Sequence, residues 1–480
     1  MHVRPVLGAP REAARTRLSV LVGLATAATV LLGLVATGQP TAADGMTTAS
    51  PAIGGKSAQQ AAPALVRGSQ IVPGSVNRTS IALVATYNVN ATVHYGDRAV
   101  AATSTISLRN ASGGPIDRVE LNTVTARIGA LRVTSLTVDG AAVTRTIDDQ
   151  TVVVPLGGVL PDGASTVIRI SIRATLRSTL TGSNWLFARV NGVVEAARWL
   201  PWVSLRRAFN RPNHGDPFIT ASSPLVRVRI TTDRSMVIAS TGMRVASSGL
   251  SQTFEARNVR DFNFAASPYY KVYGSKVGNT LVRVYAKAGY PASTVLSYAK
   301  NALSRMGALV GTYPYPSFKV AQSAGGYGME SPQLIWIPGG DSGTHLRWLV
   351  HHETAHQWFY GIVGNDQARQ PFDDEAAADQ MARYVTGIWQ PSRCATNRLD
   401  LSIYGYSATC YFHVIYIQGS ALLDRVRQRM GTTAYWRAMR DYVAAHRYGI
   451  ATTKSLLDTL DAHTSLDLRS MFASRFPSIY

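Results

Sequence analysis

A chain of 480 residues, 46% hydrophobic and 16% charged, is too long for one ordinary domain and too apolar to be disordered. Its formal net charge is +20, and only seven of the 48 basic side chains are lysine. A basic surface suits an anionic cell-envelope polymer, but the sequence has no zinc-finger spacing, no aromatic ribonucleoprotein motif and no clustered basic run, which argues against nucleic acid. Compositional bias and solubility are the plainest reading of the charge.

Taken in chain order, Arg4, Arg11, Arg15 and Arg17 precede an uncharged stretch from Leu18 to Gly38, and small residues follow as far as Thr41-Ala42-Ala43. Basic, apolar and small regions in that order predict a secretory signal over residues 1–43, or an uncut anchor with a membrane tether through residues 18–38. Either way the remainder is delivered outside, so the expected location is secreted or held on the outer side of the cytoplasmic membrane. Residues 44–79 are rich in Ala, Gly, Ser, Thr, Pro and Gln and read as a flexible linker.

Residues 80–272 carry short alternating runs such as Ala99–Leu108, Val167–Ala174, Val226–Thr232 and Met236–Ser240, punctuated by Asp139-Gly140 and Pro161-Asp162-Gly163. This predicts an antiparallel, all-β N-terminal domain, with Trp199, Trp202 and Phe218 in its core or at an interface. Over residues 273–480 the spacing turns helical in Ser293–Val310, Thr344–Tyr360, Asp374–Tyr384, Tyr416–Met430 and Thr433–His446. One strand-like run, Leu334–Ile337, follows a glycine-rich segment. Cys394 and Cys410 fit neither a zinc ribbon nor a redox pair; in an exported chain they are expected to form one disulfide.

The chemistry gathers in His351-His352-Glu353-Thr354-Ala355-His356. On a helix, His352 and His356 project from one face and can share a metal ion, with Glu353 placed to take a proton from metal-bound water. A catalytic zinc needs a third protein ligand. Glu375 lies nineteen residues past His356 and is the candidate. Asp379, four residues on, faces the same way and could hold the far nitrogen of a metal-bound histidine. An acidic first helical turn favoured by the macrodipole is the competing reading of Asp373, Asp374 and Glu375.

A His-Glu-x-x-His helix followed, after eighteen intervening residues, by a glutamate resembles the aminopeptidase N-like family of zinc peptidases, within the gluzincins. Three further stretches match in order. Gly325-Gly326-Tyr327-Gly328-Met329-Glu330-Ser331 resembles the family's Gly-x-Met-Glu-Asn signature, Tyr313-Pro314-Tyr315-Pro316 resembles the segment before it, and Tyr416-Ile417-Gln418-Gly419 resembles its Tyr-Glu-Lys-Gly. The resemblance implies an α+β, multidomain architecture: an all-β N-terminal domain followed by a thermolysin-like, mostly helical zinc peptidase domain, with one Zn(2+) per chain and peptide substrates. It also implies that Glu330 holds a substrate's free α-amine, that Gly328 and Met329 line the peptide, and that Tyr416 stabilises the oxyanion.

Some positions depart from the family pattern. Ser331 replaces the signature's asparagine, and Tyr327 stands where many members have a small residue. The family's large C-terminal helical domain has no counterpart in these 480 residues, so a more open cleft is expected. Glu195 is the nearest candidate in the β-rich half for a second amine contact, and it is left unassigned. An exported zinc aminopeptidase is the leading reading. Its rivals are a zinc endopeptidase or oligopeptidase with an open cleft, and an inactive cell-surface binding module.

Overall fold

Alternation builds the N-terminal half. In Ala99–Asn110 every second residue is buried along twelve positions, the signature of a strand with one face on a core and one toward solvent. That strand pairs antiparallel with Leu83–His94 on one side and Ser165–Thr175 on the other, inside an eight-stranded sheet. Two four-stranded sheets accompany it. The expected antiparallel pattern has one exception, because Leu83–His94 pairs parallel with Val226–Thr232. A parallel pair requires a long crossover, and the intervening chain supplies it. The computed structural model describes residues 68–209 and 218–480. The signal or anchor expected over 1–43, and the linker as far as residue 67, lie outside the described residues. Among those described, no helix is long and apolar enough to cross a membrane.

The end of the expected linker is docked. Val72 bridges to Val159, and the Asp117 carboxylate accepts hydrogen bonds from Ser75 Oγ and from the backbone N–H of Val76, Asn77 and Arg78. These small residues offer little apolar surface, but one buried-side carboxylate collects their backbone donors, which composition does not reveal.

Beyond residue 270 the chain builds a five-stranded mixed sheet before most of its helices. Its order is Lys271–Val277, Thr280–Ala286, Ser317–Ser323, Leu334–Pro338 and, at the edge, Met329–Ser331. Only the fourth of these strands is anticipated by sequence pattern. Ser317–Ser323 is buried at all seven positions, so both faces are covered and no alternation marks it. The helix Ala292–Val310 is the crossover between Thr280–Ala286 and its parallel neighbour Ser317–Ser323. Regular helices follow at Gly343–Ala355, Ala377–Thr386, Gly419–Met430, Thr432–Ala445 and Thr453–Ala462. The histidine helix, expected to reach Tyr360, stops at Ala355 with His356 as its cap.

Buried arginines join the two halves. Arg260 is 1% exposed and donates to the carbonyls of Thr220, Ile362 and Gly449, while Arg207 pairs with Asp366. Part of the arginine content is therefore internal architecture rather than surface solubility. Trp199, Trp202 and Phe218 are all buried; Trp202 stacks on Tyr87 with ring centroids 4.1 Å apart.

Candidate active site

Helical geometry brings His352 Nε2 within 3.1 Å of His356 Nε2. Glu375 Oε2 completes a triangle, 3.2 Å from the first nitrogen and 3.3 Å from the second. A tetrahedral zinc with bonds near 2.0–2.1 Å has ligand-to-ligand edges of about 3.3 Å. All three residues are buried, and they form the one group of this kind among the described residues. Glu375 Oε2 is buried and accepts no hydrogen bond, an arrangement costly for a carboxylate unless a cation meets it. Both the spacing and the donor set fit zinc.

The acidic run ahead of this helix does not behave as one exposed first turn. Phe372–Ala376 is a π-helical turn, and regular α-helix begins only at Ala377. The wider turn sends three consecutive carboxylates to three places. Asp373 accepts from Thr453 Oγ1 at 2.8 Å, Asp374 Oδ1 meets His356 Nδ1 at 2.7 Å, and Glu375 reaches the metal triangle. Asp374 thus orients His356, a candidate metal ligand, a role the sequence reading gave to Asp379. Asp379 Oδ1 lies 3.7 Å from His352 Nδ1, too far for a hydrogen bond. It accepts instead from Trp348 Nε1 at 2.8 Å and pairs with Arg383. Burial alone would lower the pKa of His356, but Asp374 and Glu375 outweigh it and hold it well above the ordinary range. Burial would raise Glu375; the two imidazoles hold it below its usual range.

Glu353 lies across from the glycine-rich segment. Burial pushes its carboxyl well above the usual range, and His356 pulls it back. A Cβ on Gly328 would overlap the Glu353 carboxylate, so glycine is needed at this close approach. Strand alternation then puts Gly328 and Glu330 on the cavity, and Met329, 1% exposed, in the core. Met329 is therefore a packing residue and lines no part of the cavity. Gln357 fixes this edge strand to the histidine helix, donating to Ser331 O and accepting from Gln333 N, both at 2.8 Å. Tyr313 packs edge-on against Trp358, and of the Tyr-Pro-Tyr-Pro segment the two tyrosines are buried. Glu195 is buried and pushed up to about 8 by that burial. It accepts from Ala324 N at 2.7 Å, so it holds the glycine-rich loop.

Tyr416 occupies a second π-helical stretch, Phe412–Gln418. Its ring stacks on His352 at 5.3 Å. Gly419 lets this segment approach the first π turn, since a Cβ there would lie 2.6 Å from Ala376 Cβ. π-Helical turns often mark functional positions, and a 3.6-residue pattern cannot foresee them. Cys394 and Cys410 are joined, as expected, with Cα atoms 5.7 Å apart, tying the preceding loop to the Tyr416 segment. Glu330, Trp348, His352, Glu353, Phe412 and Tyr416 line one cavity of about 330 Å³. Tyr327 stands at its mouth, 47% exposed, its ring 5.6 Å from that of Trp185.

A β-rich half packed on a thermolysin-like helical half, with a buried two-histidine, one-glutamate triangle in the cleft, defines the two-domain zinc-peptidase fold. Solved structures carry the same architecture. An M1 zinc metallopeptidase mutant from Deinococcus radiodurans aligns with TM-score 0.64 and 18% identity, covering 85% of this chain and 96% of that one. The same organism's M1 zinc metallopeptidase mutant bound to a Tyr-Ser-Ala substrate gives TM-score 0.62 at 18% identity, again covering 85% and 96%. A two-domain M1 mutant bound to L-arginine gives 0.62 and 18%, covering 82% and 94%. No protein-family model and no curated protein matches the chain. The chain has the fold of the M1 zinc metallopeptidases, the aminopeptidase N family.

Proposed function

We propose that this protein is an exported, zinc-dependent aminopeptidase that releases N-terminal residues from peptides. The observation that carries this reading is the His352–His356–Glu375 triangle, with Glu353 on one side and Tyr416 on the other, opening on a single cavity. Zinc held there would supply a Lewis acid for the scissile carbonyl and its attacking water. The protein's own groups do the rest. Glu353 takes the proton from that water, and Gly328 keeps the carboxylate in place by offering no side chain. The edge strand Met329–Ser331 gives an extended peptide a backbone to lie along. Tyr416 donates a hydrogen bond to charge that develops on the carbonyl oxygen. Glu330 holds the free α-ammonium and so selects the chain end. The Deinococcus radiodurans protein seen with a Tyr-Ser-Ala substrate supports a short peptide as ligand.

Export, as secreted protein or through a tether at residues 18–38, is proposed on the order of basic, apolar and small residues in 1–43. An anionic envelope polymer as a partner is proposed on the net charge of +20 alone. The decisive assay uses matched free and N-acetylated peptides with and without chelator. Activity should be confined to free-amine peptides, vanish on chelation and return with zinc. Equal cleavage of both peptide sets replaces the aminopeptidase with an endopeptidase.

A further inference from the structure

Glu330 does not stand alone in the cleft. Arg198, from the β-rich half, donates from Nη2 to Glu330 Oε1 at 2.6 Å, with side chains 2% and 5% exposed. Its other terminal nitrogen donates to Gln367 Oε1 at 2.6 Å. Gln367 in turn donates to Glu330 Oε1 at 3.2 Å and to Asp374 Oδ2 at 2.6 Å. Both of these bonds fall on Oε1 of Glu330, a residue that lines the cavity.

The arginine is held by more than its ion pair. Its φ of +46° is a left-handed conformation that few non-glycine residues adopt. Asn263 Oδ1 accepts its backbone N–H at 2.6 Å, and the Asn263 amide also donates to Ser331, the residue after Glu330. Its guanidinium lies 5.3 Å from the Phe218 ring and 5.0 Å from that of Tyr360. Tyr360 is itself strained, with φ +127°, and bonds Asp261. Side chain and backbone of one strained residue therefore converge on adjacent positions of the same edge strand. Such strain persists where the surroundings over-determine it, commonly at functional sites.

We propose that Arg198 is the positioning residue that makes Glu330 an amine anchor. It fixes the orientation of the Glu330 carboxylate at the cavity wall, and so sets the preference for a free N-terminus; this rests on the aminopeptidase reading. The planar fork suits this role, because two terminal nitrogens held in one plane reach Gln367 and Glu330 at once with a geometry that a flexible ammonium holds less well.

The test is a double-mutant cycle on the zinc-loaded full chain, with Tyr-Ser-Ala and its N-acetyl form as probes. Arg198→Gln should lower kcat/KM on the free peptide by about 100-fold, mainly through KM, while the acetylated peptide changes less than about threefold. In a Glu330→Gln background, the same change should cost less than about threefold. Arg198→Lys should restore part of the preference. Equal losses on both peptides, or in both backgrounds, at unchanged zinc content would overturn the proposal and leave Arg198 a structural residue. If Arg198→Gln does not fold, Arg198→Lys runs the same cycle, and an undiminished preference there overturns it. The native chain is read first: equal cleavage of the two probes removes the aminopeptidase reading, and this proposal falls with it.

Discussion

The helical half and the β-rich half serve the cleft by different means. From the helical half come the three candidate metal ligands and Glu353, from one regular helix with its cap and the π turn that follows it. From the β-rich half comes Arg198, a single buried cation on a strained backbone, which touches Glu330 rather than the metal triangle. On the proposed reading, metal chemistry belongs to consecutive elements and chain-end selection to the interface. The two should separate under mutation.

The largest effect belongs to the metal side. Glu353→Gln should lower turnover of every peptide, free or acetylated, by about a thousandfold while zinc content by elemental analysis stays at one per chain. Native-rate hydrolysis by that variant would falsify the mechanism. Glu330→Ala sharpens the comparison from the other side. It should cut turnover of free-amine peptides by about 100-fold or more, leave zinc bound, and leave acetylated peptides as poor as before. Loss of zinc in that variant would mean that selection and metal binding are not separable.

Gly328→Ala comes next. Its new methyl must displace the Glu353 carboxylate, so kcat should fall by about tenfold or more with KM little changed; an unaltered kcat would mean the two residues do not press on each other. Asp374→Asn should weaken zinc affinity about 10- to 100-fold through the His356 ring, with kcat largely recovered at saturating zinc. Titration against a competing chelator measures it, and the same titration on Asp379→Asn should give a smaller change. The smallest effect on catalysis is expected from Cys394→Ser. Removing the bridge costs about 3 kcal/mol on the chain-entropy model, seen as a lower melting temperature. Non-reducing mass spectrometry of the native chain should find the two cysteine peptides joined.

How much of this was legible in the sequence differs between the halves. Strand periodicity located Ala99–Asn110 and Val226–Thr232, because each has one wet face. It missed Ser317–Ser323, buried throughout, and the docked residues 72–79, held by one carboxylate. Helix spacing located the histidine helix but ran it past Ala355 to Tyr360. It also began a regular helix at Asp374, where Phe372–Ala376 forms a π turn, since nothing in a 3.6-residue pattern signals one. Of the residues reached through the family signature, Gly328, Glu330 and Tyr416 line the cavity, while Met329 is buried.

By itself, then, the sequence determined that His352, Glu353 and His356 share a helix, because a separation of four residues on an α-helix is local geometry that no distant contact is needed to create. It also determined the order of a β-rich half before a helical one. Tertiary structure decided which acid serves which partner, since Asp374, Glu375 and Asp379 differ by where a widened turn and the neighbouring helix aim them. It alone decided that Glu330 would meet Arg198, 132 residues away along the chain. A buried ion pair across such a separation exists only once two separately folded surfaces close on each other and exclude water from between them.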